Sequence, residues 1–423
     1  MRKMKDSGIE WIGQIPENWG IVRVKQAFIR KNEKAQQEDP VVLSLARSGV
    51  KVRDVSNNEG QVAESYYNYN PVCVGDLLLN PMDLYSGANC SISEVEGVIS
   101  PAYVNLRSRN DYNARFYDYY FKVQYWTMVL FAHGKGVSFD NRWTLNHETL
   151  MNFPVVAPPL SVQASIADYL DEKCEEIDRY IEKQQQIIEK LKAYKQAIIT
   201  EAVTKGLDHS VPMKDSGIEW IGEIPAEWES TILKRHCSFQ TGSTPSTKNE
   251  AWFDGTLDWF MPGDFHDGYY LCESARKLSL LAQEEGVATI IPANTVMIIG
   301  IGGTAGKIGF TTKECSCNQQ ITAIKSDIKI DDKYLMYWMI ANTEKIKDTA
   351  LYTTLPIINN QTIGQYTLIV PSSRQEQMEI VEYLDKKCAG IDDLIISKKQ
   401  LVSEFETYIK SLIFECVTGK KEV

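Results

Sequence analysis

A stretch of sixteen residues near the start of this 423-residue chain returns almost unchanged in its middle. Residues 4–19 and 213–228 agree at thirteen of the sixteen positions, among them Asp6/Asp215, Ser7/Ser216, Gly8/Gly217, Trp11/Trp220, Pro16/Pro225 and Trp19/Trp228. A second repeat closes each half at a constant offset. Gln163, Ile166, Leu170, Asp171, Cys174 and Ile177 recur as Gln377, Ile380, Leu384, Asp385, Cys388 and Ile391, and Tyr194, Glu201 and Thr204 recur as Tyr408, Glu415 and Thr418. Self-similarity at a fixed period marks a duplicated structural unit. The chain therefore reads as box, variable region, helix, written twice. The variable regions, about 20–159 and 229–371, show no comparable match to each other.

The helical segments carry a narrow apolar seam. Ile177, Ile181, Ile188, Leu191, Ile198 and Ala202 fall at alternating spacings of three and four, the pattern of a coiled coil, with Gln184 and Lys195 as polar interruptions. Ile391, Ile395, Val402, Phe405, Ile409, Leu412 and Cys416 repeat it, and Lys398 stands at the step of Gln184. A polar residue at one seam step fixes register at some cost in stability. About 40 residues at roughly 1.5 Å each predict a rod of about 60 Å. The variable regions instead hold short apolar runs bounded by turn residues, such as 41–45, 72–79 and 295–299, with helical patterns at 112–130 and 333–347.

The expected fold is α+β: two β-rich domains joined by two long antiparallel coiled-coil helices, with a pseudo-twofold internal repeat. The expected domains are 1–159, a first spacer helix at 160–212, 213–371, and a second spacer helix at 372–423. Matched seams pair such helices antiparallel and set the globules at opposite ends of the rod. Duplex DNA offers recognition patches separated by helical turns, which symmetric readers match. Two dissimilar globules would read two dissimilar half-sites around an unread gap.

Composition narrows the class of function. With 43% hydrophobic and 24% charged residues the chain is globular rather than disordered. Residues 1–5 are charged and no apolar run follows, so no secretory leader is expected, and the most apolar stretch, 287–301, is broken by Pro292 and Asn294. Nine cysteines form neither a disulfide framework nor a zinc pattern, so reduced thiols and a cytoplasmic location are expected. The net charge of −11 argues against simple coating of DNA. The acidity is uneven: residues 1–159 balance at 17 basic and 17 acidic, whereas 213–370 hold 13 against 19. Nucleic acid would have to be held by local basic loops or with help from a partner.

The repeated box and the segments 158–170 and 371–384 resemble those that open and close the target-recognition domains of type I restriction-modification specificity subunits. The second variable region adds the runs 240–245, 259–264, 303–309 and 317–319, in an order similar to a common recognition-domain pattern of that family. The first, with Val74, Gly75, Asp76 and Leu77 and then Ser100, Pro101, Ala102 and Tyr103, is similar to a different subtype. The resemblance covers nearly the whole chain. It implies a non-catalytic subunit whose domains each read one half of a bipartite target on double-stranded DNA, and whose helices hold two modification subunits. Those partners bind S-adenosylmethionine and methylate adenine N6; optional restriction subunits use ATP and Mg. No cofactor, metal or membrane is expected for this chain.

Candidate contacts follow from residue chemistry. Arg47, Lys51 and Arg53 cluster after the first apolar run, and Lys135 and Arg142 sit in a glycine-flexed loop after a predicted helix. Arginine reads guanine bidentately, while lysine and backbone amides set register on phosphates. Each of these residues has a plainer reading as a solvated surface charge. In the second half the family pattern points to Ser243, Thr244, Thr304 and Lys307, and the corresponding closing loop offers Thr353, Thr354, Asn359, Asn360 and Gln361. Asn and Gln pair with adenine, but Asn also favours turns on local grounds.

The glycine-rich run 300–307 is not a Walker A loop, because Ile301 and Ile308 stand where Gly and Ser or Thr are needed. It reads as a tight turn between buried strands, with DNA contact as a second use. The five histidines show no metal or triad spacing, Asp331 and Asp332 lack a partner carboxylate motif, and no methyltransferase Asn-Pro-Pro-aromatic motif occurs. The alternative to a DNA reader is a coiled-coil scaffold whose globules bind protein or small molecules.

Overall fold

A computed structural model describes residues 2–55, 63–136, 143–266, 268–349, 351–352 and 356–423. It divides into two units, Met1–Gln185 with Gln400–Val423, and Gln186–Lys399. Four helices organise them: α1 (Ala114–Trp126), α2 (Leu160–Lys205), α3 (Asp332–Ala341) and α4 (Arg374–Val417). The long α2 and α4 each contribute to both units.

Within each unit α2 and α4 run antiparallel. In the first, Tyr180 stacks on Phe405 at 6.2 Å while Lys421, just beyond α4, lies over the ring of Tyr169 at 5.7 Å, so partner numbers fall as residue numbers rise. In the second, Lys195 meets Asp392 and the end of α2 at Gly206 reaches Glu376. Every seam position expected from the spacing is buried or half-buried, including Ile177, Ile188, Ile198, Ile391, Ile395 and Leu412. The polar interruptions behave unequally. Lys195 is 6% exposed and makes a two-point ion pair with Asp392 at 2.8 and 2.6 Å, whereas the buried Oε1 of Gln184 has no hydrogen-bond partner. Register is therefore marked by Lys195, whose counterpart in α4 is Ile409.

The repeated box forms the same hairpin twice, Met4–Asp6 with Gln14–Pro16 and Met213–Asp215 with Glu223–Pro225. Its identical residues have identical duties. The Asp6 and Asp215 carboxylates accept from the Gly8 and Gly217 amides, and the Ser7 and Ser216 hydroxyls accept from Ile9 and Ile218. Gly8, Gly13, Gly217 and Gly222 all hold positive φ between 67 and 72°, which disfavours any side chain. Trp19 and Ile15 share a core with Leu412, Ile413 and Val417 of α4, and Trp228 and Ile224 share one with Ile198, Ile199 and Val203 of α2. Each box thus packs on the end of the helix that closes the other half.

Each unit also holds a four-stranded antiparallel sheet. The first is built from β1 (Phe28–Lys31), β2 (Leu77–Leu79), β3 (Cys90–Ile92) and β4 (Val104–Ser108); the second from β5 (Cys237–Thr241), β6 (Thr295–Ile299), β7 (Ile308–Thr311) and β8 (Ile321–Ser326). Their orders, β1-β4-β2-β3 and β5-β8-β6-β7, are the same. The variable regions, which differ in sequence, thus share one topology. In β6, Val296 and Ile298 face the core of α3, while Met297 and Ile299 face Phe260, Phe265 and Leu271. In β2, Leu77 and Leu79 face α1 while Leu78 faces Leu43, Leu45 and Val72. Both faces are covered, so these central strands read as unbroken apolar runs rather than alternating ones.

A second repeat, in chemistry more than in identity, docks each globule on its helices. Asn113 caps α1 through the amides of Arg115 and Phe116, and its own N–H donates to buried Gln163 at 2.8 Å. Asp331 caps α3 in the same way and donates to buried Gln377 at 2.7 Å. About two helical turns further along, Asp171 accepts from the Tyr119 hydroxyl at 2.7 Å and from Arg115, and Asp385 accepts from the Tyr337 hydroxyl at 2.7 Å and from Lys333 at 2.6 Å.

Candidate nucleic-acid interface

The sheet order gathers corresponding loops at one end of each unit. At that end lie the C-termini of the first two strands and the N-termini of the last two, so residues 80–89 and 100–103 in the first unit correspond to 300–307 and 318–320 in the second.

In the second unit this end is a knit polar surface. The Thr322 hydroxyl donates to Asn360 Oδ1 at 2.8 Å, and Asn360 Nδ2 donates to Thr241 Oγ1 at 3.0 Å. The Thr244 hydroxyl donates to Gln319, Gln320 Nε2 donates to the Ile301 carbonyl at 3.3 Å, and the Ile358 amide donates to the Gly300 carbonyl at 2.7 Å. Gly242 closes the group: a Cβ there would lie 2.2 Å from the Cys317 carbonyl oxygen, so only glycine permits this approach. Thr241, Thr244, Thr304, Gln319 and Asn359 remain exposed. The surface carries hydroxyls and carboxamides with little charge, and these are groups that can read base edges.

Two candidates here are also tied into the fold. Ser243 donates to the Val287 carbonyl at 2.9 Å, accepts from the Thr289 amide at 3.0 Å, and its carbonyl accepts from Trp259 Nε1 at 3.1 Å. Lys307 ties its ammonium to the Phe265 carbonyl and lines a separate cavity with Lys192, Lys195, His266 and Lys347. Asn359 caps a short helix through the Thr362 amide at 2.8 Å, and its exposed side chain borders the knit surface.

The first unit places its charges differently. Arg47 stands at the tip of the hairpin Leu43–Ala46 with Gly49–Val52, Lys51 is exposed on its returning strand, and Arg53 is half-buried with its amide donating to the Val42 carbonyl. Lys135 is exposed where its backbone bridges Thr144, beside residues 80–89, since the Leu145 amide donates to the Pro81 carbonyl at 2.8 Å. The pair Leu351–Tyr352 and Pro356–Ile357 makes the matching ladder beside Gly300 and Gly302 in the second unit. Arg142, Thr353 and Thr354 lie outside the described residues.

Other charges are consumed by the fold. Buried Asp76 draws in Lys31 at 3.3 Å and Arg107, and its carboxylate pushes the Arg107 guanidinium still further up. Burial pushes the Cys315 and Cys317 thiols up to about 12, so neither is a ready nucleophile. Among the described residues no three His, Cys, Asp or Glu side chains gather as metal ligands would, and no helix is long and apolar enough to cross a membrane.

Sequence reasoning missed the docking residues Asn113, Asp331, Tyr119 and Tyr337. It also missed the exposed pair Met82 and Tyr85 in the first unit. An aromatic between Asp83 and Ser86, in a stretch rich in turn residues, was the available signal.

Residues 225–403 match the family described as the type I restriction modification DNA specificity domain. The chain is 22% identical to the EcoBI specificity subunit of Escherichia coli over 99% of its own length and 90% of that protein. It is 27% identical to the MjaIX specificity subunit of Methanocaldococcus jannaschii over 43% of this chain, a match that spans 41% of that relative. Among solved structures, a chain of a type I restriction-modification assembly superposes with a TM-score of 0.73 at 14% identity, covering 96% of this chain and 99% of that one. The HsdS subunit of Thermoanaerobacter tengcongensis gives 0.50 at 13% identity, covering 96% and 98%. At these identities the superpositions establish the fold.

Proposed function

We propose that this chain, which belongs to the specificity subunits of type I restriction-modification systems, reads a bipartite DNA target, one half with the loop end of each unit. The observation that carries the reading is one sheet topology presented twice with unlike loops at the same end. The first unit offers Arg47, Lys51 and Lys135, suited to phosphates and guanine, and the second offers Thr241, Thr244, Gln319 and Asn359, suited to base edges including adenine.

The helices hold the modification subunits. Beside the buried seam, each carries a further stripe at heptad spacing: Tyr180, Ile187 and Tyr194 in α2, and Leu394, Leu401 and Tyr408 in α4. Tyr180, Tyr194, Leu394 and Tyr408 are between 48 and 57% exposed. Apolar side chains held open in both units, Tyr180 and Tyr408 in the first and Tyr194 and Leu394 in the second, fit two copies of one helical partner. S-adenosylmethionine then belongs to those partners, as ATP and Mg belong to restriction subunits where present, and this chain contributes recognition without catalysis.

Methylome sequencing of a host carrying this gene with its modification partner tests the reading. A methylated motif in two unlike halves with a fixed gap is expected, together with retention of that duplex by the purified complex. Absence of both would favour a coiled-coil scaffold with other ligands.

A further inference from the structure

We infer that Tyr85, flanked by Met82, is an aromatic wedge that stacks on a nucleobase of the half-site read by the first unit; the inference rests on the reading proposed above. Tyr85 is 72% exposed and Met82 is 44% exposed. The loop that presents them is tied down at several points. The Asn80 amide donates to the Asn89 carbonyl at 2.9 Å and closes its base, and the Tyr125 hydroxyl pins the Asn80 carbonyl at 2.7 Å. Asn80 Oδ1 accepts from the Met82 amide at 3.0 Å. Asp83 accepts from the Ser86 amide at 3.2 Å and from Asn89 Nδ2 at 3.4 Å. Leu84, between the two exposed side chains, is buried in the main core of the unit.

Fixing so many backbone groups while presenting an aromatic to solvent is the arrangement expected of a preorganised contact. The ring leans on Phe131 at 6.1 Å, which leaves its other side available. Lys135 sits on the neighbouring ladder, so a cation for a phosphate stands close to a platform for a base, the pairing used on single and distorted strands. The corresponding loop of the second unit, 300–307, holds four glycines and no aromatic, so this device belongs to one half of the target.

The test uses the complex of the full chain with its modification subunits, in parent form and as Y85A, Y85F and K135A. Methylation is read on a pool of duplexes randomised across the parent motif. Y85A is expected to lower methylation of the parent target about tenfold, within the range of a lost base stack. It should relax one base position in one half of the motif and leave the other half intact. Y85F, which keeps the ring, should recover most of that loss. K135A should weaken methylation at raised salt without changing the motif. Unchanged rate and motif for Y85A, loss in both halves alike, or failure of Y85A to assemble with the modification subunits would each overturn the inference. A parent complex that methylates no bipartite motif overturns it together with the reading beneath it, and is recognised as a separate result.

Discussion

The Lys195–Asp392 pair makes an asymmetric prediction. The Lys195 side chain is 7% exposed and that of Asp392 45%, with the ammonium 4.4 Å from the ring of Tyr269. Asp392→Asn removes the charge that can return to water and strands the one that cannot. Breaking a fully buried pair this way costs about 3–5 kcal/mol, and an exposed pair at most about 1 kcal/mol. Asp392 lies between these limits, so we expect a loss of about 1–2 kcal/mol. Lys195→Ile does the opposite. It removes the buried charge, leaves Asp392 to solvent, and places in α2 the residue type that Ile409 supplies at the same seam step of α4. Replacing buried ions by apolar groups is often neutral or stabilising, so the expected change is within about 1 kcal/mol of zero, of either sign. The double variant should match Lys195→Ile alone. Urea and thermal unfolding of the three variants, followed by the transition of the second unit, measure this, and D392N should lower the Tm of that transition by about 2–8 °C. If Lys195→Ile costs more than Asp392→Asn, the pair is a net stabiliser and the reasoning from desolvation fails.

Gly242→Ala must push the backbone off the Cys317 carbonyl, so it should cost about 1–3 kcal/mol and disturb only one half of the methylated motif, read by thermal unfolding and methylome mapping. Asp171→Asn and Asp385→Asn should each cost about 1–2 kcal/mol in their own unit, since each acid holds a tyrosine hydroxyl and a cation; domain-resolved unfolding that shows no loss in either unit rejects the docking role. His147 is held below its ordinary pKa by burial and by the Arg30 guanidinium, whose Nη2 is 3.0 Å from its Nε2. The unfolded chain therefore takes up this proton first as pH falls below about 6.5, and stability drops there. His147→Gln should flatten the pH dependence of the urea midpoint in that window.

Much of the frame is legible in the sequence because the residues that build it are irreplaceable. Asp6, Ser7, Gly8 and Gly13 make a turn that other side chains cannot, so they recur by identity in the second half. The seam recurs because a helix pair accepts a narrow set of apolar residues at fixed spacing. The docking repeat is hidden for the opposite reason. Asn113 and Asp331 cap equally well, and Arg115 and Lys333 serve the same carboxylate, so the chemistry persists while the letters change. The shared sheet is hidden because its strands are three to six residues long and its central ones, Leu77–Leu79 and Thr295–Ile299, are buried on both faces, where any apolar residue of suitable size serves. Contact residues are the least legible. Ser243 and Lys307 have the chemistry of DNA ligands, yet both are tied into the fold by partners distant in sequence, which no local pattern reveals.

The exchange of box and helix end between the halves limits what a recombination event can leave behind. Near-identical boxes in one gene invite unequal crossing-over, which would delete one globule with one long helix. The surviving half-length chain would have a box whose Trp228 and Ile224 lack the α2 end that covers them, and an α4 end whose Leu412, Ile413 and Val417 lack a box to cover. The two bare surfaces are complementary, because each is a diverged copy of an interface the chain already makes. Two half-length chains would cover both by exchange across a twofold axis. Such a protein would be an obligate homodimer, and the proposed target of two unlike halves would become a palindrome.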